Sequence, residues 1–273
     1  MRVIIFTNKE NPAGNYFLNR IVKDKDVEIV GIFNAKNFKF SQLLKHTEKA
    51  LLLGGVLVSL RLVALLLSLK FVSFIKRKFY SKRKLYNADE IAKINKIPYH
   101  YVNGINSKES IAIIKKLKPD IIISSFFDQI LRKRVLDIPK LGVINIHPGI
   151  LPNYRGLYPY FWKLVHKEKI SGVTIHTMTE EIDKGKILAI KTFRIRKKDD
   201  VISLSIKSGK VGVKLLKKTL KQIKKHGVNS FKVKPITTLK KSGYFGLPTR
   251  EAVSKLYKQN KEVWSFRKLL KYF

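Results

Sequence analysis

The chain has 273 residues, 45% of them apolar, which suits one large domain or a domain with a modest appendage and excludes a wholly disordered protein. It contains no cysteine, so a disulfide framework, a thiolate nucleophile and a cysteine-ligated metal are all excluded, and a reducing, intracellular setting is expected. Lys and Arg number 57 against 19 acidic residues, a formal net charge of +38 that would draw the chain toward polyanions, although lysines dispersed on helix faces, such as Lys214, Lys217 and Lys218, also suit a solvated surface.

In chain order, residues 2–6 are an apolar run read as a buried first strand. The run lacks the longer apolar core and small-residue cleavage site of a signal peptide, so a cytoplasmic location is expected. A helix near 15–23 and a second strand at 27–33 complete a β-α-β opening. The turn from Thr7 to Asn15 lies where phosphate-binding loops occur, but it has no repeated glycine fingerprint, and closure by Pro12 and Gly14 is the reading favoured.

Residues 43–85 are an insertion, and 51–75 are mostly Leu, Val, Ala and Phe, long enough at ~1.5 Å per residue to cross a bilayer. A single crossing would leave its two ends, both expected in one sheet, on opposite sides of the membrane, and Arg61 and Lys70 add cost within the run. A helical hairpin turning near Gly54 and Gly55, an element on an anionic lipid surface, an oligomer contact and an extra helix packed on the domain stay open. Flanking cations such as Lys45, Lys49, Arg77 and Arg83 suit the lipid surface.

Beyond the insertion come a helix at 111–117, a strand at 120–124, a short helix at 131–136, a strand at 142–147, another at 172–178, and a last one running from Gly185 to 195. This alternation predicts an α/β fold: a doubly wound, mostly parallel sheet with a hydrophobic helical insertion and a short C-terminal helical tail. After Arg196 the expected elements are a Lys-rich amphipathic helix at 203–226, a segment from Tyr244 to Pro248 that could touch an acceptor or wedge the tail against the domain, the wedge being favoured, and a final helix from Arg250 toward Phe273. The expected division is a domain at 1–202 carrying the insertion and a Lys-rich extension at 203–273.

One phrase reads as chemistry. Asn145-Ile146-His147-Pro148 ends a strand, Leu151-Pro152-Asn153-Tyr154-Arg155-Gly156 follows, and Ile182-Asp183-Lys184-Gly185 comes after an intervening apolar strand. Strand ends are where sites lie in open α/β sheets. The period of two puts Val143, Asn145 and His147 on one face and Ile144 and Ile146 on the other, and groups Thr174, His176 and Met178. An Asn or His alone at a strand end is more often a cap or a satisfied core group, but an amide, an imidazole and a carboxylate together suit acyl transfer. His147, His176 and Asp183 would also make a two-His, one-carboxylate metal triad, but that leaves Asn145 and the Tyr154-Arg155-Gly156 loop without a role, so no metal is expected.

The same phrase resembles the folate-dependent formyltransferases, including glycinamide ribonucleotide transformylase and the catalytic domain of methionyl-tRNA formyltransferase. The likeness lies in the Asn-x-His, the Leu-Pro-x-Tyr-Arg-Gly loop and the Asp-x-Gly turn, with His147 and Asp183 36 positions apart. Residues 125–131 (Ser-Phe-Phe-Asp-Gln-Ile-Leu) resemble the family's pterin-pocket loop. The likeness covers 120–195 well and 2–33 only as a generic nucleotide-fold start, and Gly149 stands where the common loop has Ser, so a hydroxyl contact there is absent.

The resemblance implies a Rossmann-like formyltransferase fold, 10-formyltetrahydrofolate as co-substrate, and an amine acceptor. On it, Asn145 donates to the developing oxyanion, His147 donates to that oxygen or moves a proton, and Asp183 orients His147 or a water and helps remove the amine proton. It implies pterin-side residues Phe127, Ile130, Leu131, Leu136, Met178 and Glu180, and acceptor-side residues His176, Tyr154, Arg155 and Gly156. The tail lacks the alternating strands of the β-barrel that resembles a tRNA-binding module. The expected acceptor is therefore an amino sugar, nucleotide-linked or lipid-linked, ahead of initiator tRNA, which the charge of +38 would equally serve. A non-catalytic basic module for membrane or RNA is a third reading, and intact Asn145, His147 and Asp183 speak against it.

Overall fold

The computed structural model describes residues 1–8, 11–35, 86–127, 129–234, 236, 239 and 242–259. Its elements are β1 (Arg2–Thr7), α1 (Pro12–Ile21), β2 (Glu28–Ala35), α2 (Ala88–Ile94), β3 (Tyr99–Val102), α3 (Lys108–Leu117), β4 (Ile121–Ser125), α4 (Lys133–Leu136), β5 (Val143–His147) and β6 (Tyr154–Gly156). They continue with α5 (Pro159–Val165), β7 (Ile170–Thr177), β8 (Ile187–Arg194), α6 (Val201–His226), a 3-10 turn (Val228–Ser230), β9 (Gly243–Phe245) and α7 (Arg250–Tyr257).

Runs such as Ile121-Ile122-Ile123 have no polar face, so the strands they form must be covered on both sides. Seven strands make one sheet in the order β3-β2-β1-β4-β5-β7-β8. The first five are parallel, β7 runs antiparallel to β5, and β8 runs antiparallel to β7 and so along the same direction as the first five. One face carries Val3, Ile5, Ile32, Ile123, Ile144 and Ile146 against Phe17, Leu18 and Ile21 of α1 and Val213, Leu216 and Leu220 of α6. Ile4, Phe6, Phe33, Ile122 and Val143 face the other way, against Ile111 and Ile114 of α3 and Val135 of α4. Val143 and Ile144 thus fall in different layers, as the period of two requires. The helices start where side chains can satisfy their first amides: Asn11 accepts from Ala13 N and Gly14 N, and Asp200 accepts from Ser203 N.

The strands expected at 2–6, 27–33, 120–124, 142–147, 172–178 and 185–195 are all present with ends moved by one or two residues; Met178 lies just past β7. The structure adds α2, β3, α5 and the pair β6–β9, which the sequence reading did not contain. The insertion at 43–85, with every reading placed on it, lies outside the described residues, but β2 before it and β3 after it are adjacent parallel strands of one sheet. Among the described residues no helix is long and apolar enough to cross a membrane. The last helix is described as far as Tyr257, and the rest of the expected helix toward Phe273 lies outside the described residues.

Candidate active site

Register builds the site. β7 runs antiparallel to β5 with Asn145 opposite His176 and His147 opposite Thr174, so the two polar residues on one face of β5 meet two on β7. Thr174 holds the loop leaving β5: its hydroxyl donates to Gly149 O at 2.8 Å and accepts from Leu151 N at 3.1 Å. Asp183 sits in the turn between β7 and β8 with φ of 53°, a left-handed conformation that Asp and Asn tolerate better than most residues. Its carboxylate is turned back over the strand ends and accepts from Gly156 N at 2.7 Å. Gly156, with φ of 91°, has no room for a side chain, because a Cβ would strike Phe245 O and the Tyr244 ring.

Asn145, His147, His176 and Asp183 are thereby brought together. His147 Nδ1 lies 3.4 Å from Asp183 Oδ2, His176 Nε2 lies 3.5 Å from Asp183 Oδ1, and all three side chains are at most 9% exposed. Asn145 Nδ2 is 3.2 Å from His176 Nε2. Each imidazole spends its other nitrogen on a backbone carbonyl: His147 Nε2–H donates to Tyr154 O at 2.6 Å, and His176 Nδ1–H donates to Thr177 O at 2.8 Å. That leaves His147 Nδ1 and His176 Nε2 as the ring nitrogens facing the Asp183 carboxylate.

At 3.4 and 3.5 Å both contacts are longer than the ~2.7–2.9 Å of a charge-assisted hydrogen bond. Burial pushes the His147 imidazole below its ordinary value; Asp183 pulls it back, and His176 and a buried Lys163 push it down again. Burial also works against the Asp183 charge, but His147, His176 and the Gly156 N–H outweigh it and hold the carboxyl well below the usual carboxylate range. The arrangement is an ionised carboxylate and two imidazoles able to take up one shared proton. Gly149 leaves space for it: a Cβ there would lie 2.5 Å from His147 Nε2 and 2.9 Å from Tyr154 O.

The remaining residues singled out in the sequence fall into separate places. Leu136, Met178 and Glu180 line a cavity of about 380 Å³ with Leu141, Val143 and Thr177. Glu180 also accepts from Lys133 N at 3.2 Å. Phe127 packs on Phe6 with ring centroids 5.2 Å apart, Ile130 is 47% exposed, and Leu131 is fully buried. Asp128 lies outside the described residues. Tyr154 is fully buried, so it supports the site from beneath: its carbonyl holds His147, and its hydroxyl donates to Glu168 Oε1 at 2.8 Å. Arg155 and Gly156 form β6, which pairs with Tyr244 and Phe245 of β9.

The sequence reading missed the layer under the site. Phe245 stacks on Tyr154 at 5.1 Å and packs on Trp162 at 5.5 Å, while the Trp162 indole N–H donates to Gly246 O at 3.0 Å. This is the wedge expected of the segment at 244–248, and the strand alternation leaves the neighbouring Tyr244 54% exposed. Lys163, Glu168 and His166 complete the layer, and nothing in their local sequence distinguishes them from surface residues. Among the described residues, no group of His, Asp and Glu is arranged to hold a metal ion.

A mostly parallel sheet with helices on both faces thus carries an Asn, two His and an Asp where β5 and β7 meet and in the turn after β7. The family model described as Formyl transferase matches residues 75–220, more than half of the chain, and the chain belongs to that family. Over 135 residues it is 44% identical to the bifunctional polymyxin resistance protein ArnA of Wigglesworthia glossinidia brevipalpis, a stretch that covers 50% of this chain and 21% of that protein. It is 41% identical over 117 residues to the methionyl-tRNA formyltransferase of Caldicellulosiruptor saccharolyticus, covering 43% of this chain and 38% of that one. The chain thus spans less than half the length of these curated relatives. Its fold is similar to that of the N-formyltransferase of Helicobacter canadensis solved with folinic acid and dTDP-3-aminofucose, with a TM-score of 0.54, 18% identity, and coverage of 98% of this chain and 81% of that one.

Proposed function

We propose that this protein is an N-formyltransferase that moves the formyl group of 10-formyltetrahydrofolate to a primary amine, and that the amine belongs to an amino sugar, in particular a nucleotide-linked one. The observation that carries the reading is the gathering of Asn145, His147 and His176 around an ionised, buried Asp183 at the strand ends. Formyl transfer joins the amine nitrogen to the formyl carbon, develops charge on the formyl oxygen, releases a proton from the amine and expels the folate nitrogen, which gains a proton.

The site residues match those needs. Asn145 Nδ2 has one N–H toward His176 and a second for the oxyanion, a contact whose loss typically costs about 10² to 10³ in rate. Asp183 and His147 receive the amine proton in the gap between them, for His147 has already committed Nε2–H to Tyr154 O. The shared proton then serves the leaving nitrogen. The cavity beside β5 suits a flat, partly polar ring, with Leu136, Val143 and Met178 as apolar walls and Glu180 as a polar group.

The sugar acceptor is supported by the Helicobacter canadensis enzyme, which holds dTDP-3-aminofucose on a fold spanning 98% of this chain. A second reading, formylation of charged initiator tRNA, is favoured by the net charge of +38 and by the methionyl-tRNA formyltransferase relatives. Incubating the protein and 10-formyltetrahydrofolate with dTDP-3-aminofucose, other nucleotide-linked amino sugars and methionyl initiator tRNA tests both. Gain of one formyl group by a sugar supports the first reading, by tRNA alone the second, and by neither with no folate binding removes the enzyme.

The reading extends to location. The apolar run and flanking cations of 43–85 would hold the enzyme at an anionic lipid surface. The full chain should co-sediment with anionic vesicles in low salt and a chain lacking 43–85 should not; equal binding by both removes the idea.

A further inference from the structure

The layer beneath the site contains an ionisable group that formyl transfer does not use. Lys163, on α5, is 0% exposed, a rare and costly position for a lysine. Its ammonium lies 5.1 Å above the centre of the Tyr154 ring and 3.5 Å from Ser171 Oγ of β7. Tyr154 connects it to the reaction centre. The carbonyl of Tyr154 takes the His147 Nε2–H at 2.6 Å, and its hydroxyl donates to Glu168 Oε1 at 2.8 Å and accepts from His166 Nδ1 at 3.1 Å.

We infer that Lys163 is a positioning residue for this site: it fixes Tyr154, which anchors His147, and its charge opposes entry of a proton into the space shared by His147, His176 and Asp183 beyond the one that the reaction delivers. A cation on a tyrosine face inside a protein attracts strongly, so Tyr154 and the carbonyl it carries have little freedom. Among the described residues, Glu168 and His166 face Tyr154 from the turn after α5 and from its C-terminal end, and His176 and Asp183 face His147. The helices α6 and α7 bring Val201, Leu204, Ala252 and Leu256 to the α5 cluster, and Ser205 of α6 hydrogen-bonds Tyr160 beside Tyr158.

The balance of burial and the Glu168 charge supports the inference. Burial pushes the Lys163 amine down to about 7, against the pull of Glu168, so its charge changes across neutral pH. When protonated, Lys163 adds to the burial that keeps His147 neutral and ready to accept. When it is deprotonated, His147 holds a proton more readily.

The test reads His147 directly. The inference rests on the formyltransferase reading only for its kinetic consequence, so imidazole NMR titrations are run without donor or acceptor, with the His147 signal assigned among the six histidines by its absence in His147→Gln. In Lys163→Met, where a buried charge gives way to an apolar chain of similar size, the His147 midpoint should rise by about one pH unit, as expected for loss of a nearby cation. Lys163→Leu is run beside it. In the unaltered protein the His147 signal should show a second, smaller inflection near pH 7 as Lys163 titrates, a readout that needs no variant to fold.

In kinetics, the acid limb of kcat/KM should move upward by the same amount in Lys163→Met, with KM for the folate nearly unchanged. A folded variant with an unmoved midpoint, or an unaltered protein with no inflection, overturns the inference even if formyl transfer is confirmed. Absence of formyl transfer with both NMR signatures present would instead refute the functional reading and leave the Lys163 coupling standing.

Discussion

Replacing Asp183 by Asn tests the proton-accepting gap most sharply, because the structure predicts that the fold survives. The left-handed backbone at φ of 53° suits Asn as well as Asp, and the amide oxygen of Asn can still accept from Gly156 N, the 2.7 Å bond that holds the turn. With the oxygen so fixed, the amide NH2 takes the place of the carboxylate oxygen 3.5 Å from His176 Nε2, and an uncharged amide oxygen faces His147 across the gap. Neither can hold the transferred proton as the carboxylate does. The charge is lost as well. An imidazolium and a carboxylate 3.4 Å apart attract by about 5 kcal/mol at an effective dielectric of about 20, an upper bound on what Asp183 contributes to holding the transferred proton on His147. Loss of a positioned base typically costs about 10² to 10⁴ in rate, or about 2.7–5.4 kcal/mol, whose upper end reaches that bound. Asp183→Asn should therefore lower kcat by about 10² to 10⁴ with KM for the folate changed little, measured as tetrahydrofolate release at saturating dTDP-3-aminofucose, or at saturating methionyl initiator tRNA if that proves the acceptor. A folded variant with kcat near that of the unaltered protein would show that the Asp183 carboxylate takes no part in proton transfer, and the mechanism would fall.

Stability should decline in acid in two stages. The folded value of His147 is depressed by burial, so its contribution is complete above the unfolded value of about 6.5 and is lost as pH falls below it; Asp183 is likewise depressed, so its contribution is complete above about 3.9 and lost at lower pH. Denaturant unfolding from pH 7 to pH 2 should show the second stage weakened in Asp183→Asn, and identical curves would contradict the ionised carboxylate. Gly185→Ala should destabilise the protein by about 2 kcal/mol or more and reduce turnover, because its Cβ would overlap the Thr177 carbonyl and force the Asp183 turn away from β7. Unchanged urea unfolding and activity would show that the turn can move freely. Phe245→Ala removes the ring stacked on Tyr154 and should cost about 1–3 kcal/mol, with a larger fractional loss in kcat than in folate affinity; equal loss in both would mean that β9 supports the whole domain and not the His147 side of the site.

The part of this architecture legible in the sequence was the part written in local periodicity. β1, β4 and β5 announce themselves as short apolar runs, and the alternation in Val143-Ile144-Asn145-Ile146-His147 by itself puts Asn145 and His147 on one face. Strand direction was not written there. That β7 returns antiparallel, setting His176 opposite Asn145, is decided by how the sheet is completed, so His176 passed for a wall of the pocket when it is a direct neighbour of both Asn145 and Asp183. The layer beneath was less legible still. β6 and β9 are three residues each and pair across a long sequence separation, giving no period to detect, and α5 is covered on nearly every side, so its apolar run shows no stripe. Lys163 hides for a related reason: in a chain so rich in lysine, a single buried one looks like its exposed neighbours until Tyr154 is seen beneath its ammonium. The residues that would perform the transfer were thus readable from their chemistry and spacing. Those that hold them at the working distance were not, because their role follows from Tyr154, a residue whose carbonyl and hydroxyl engage opposite sides of the same cluster.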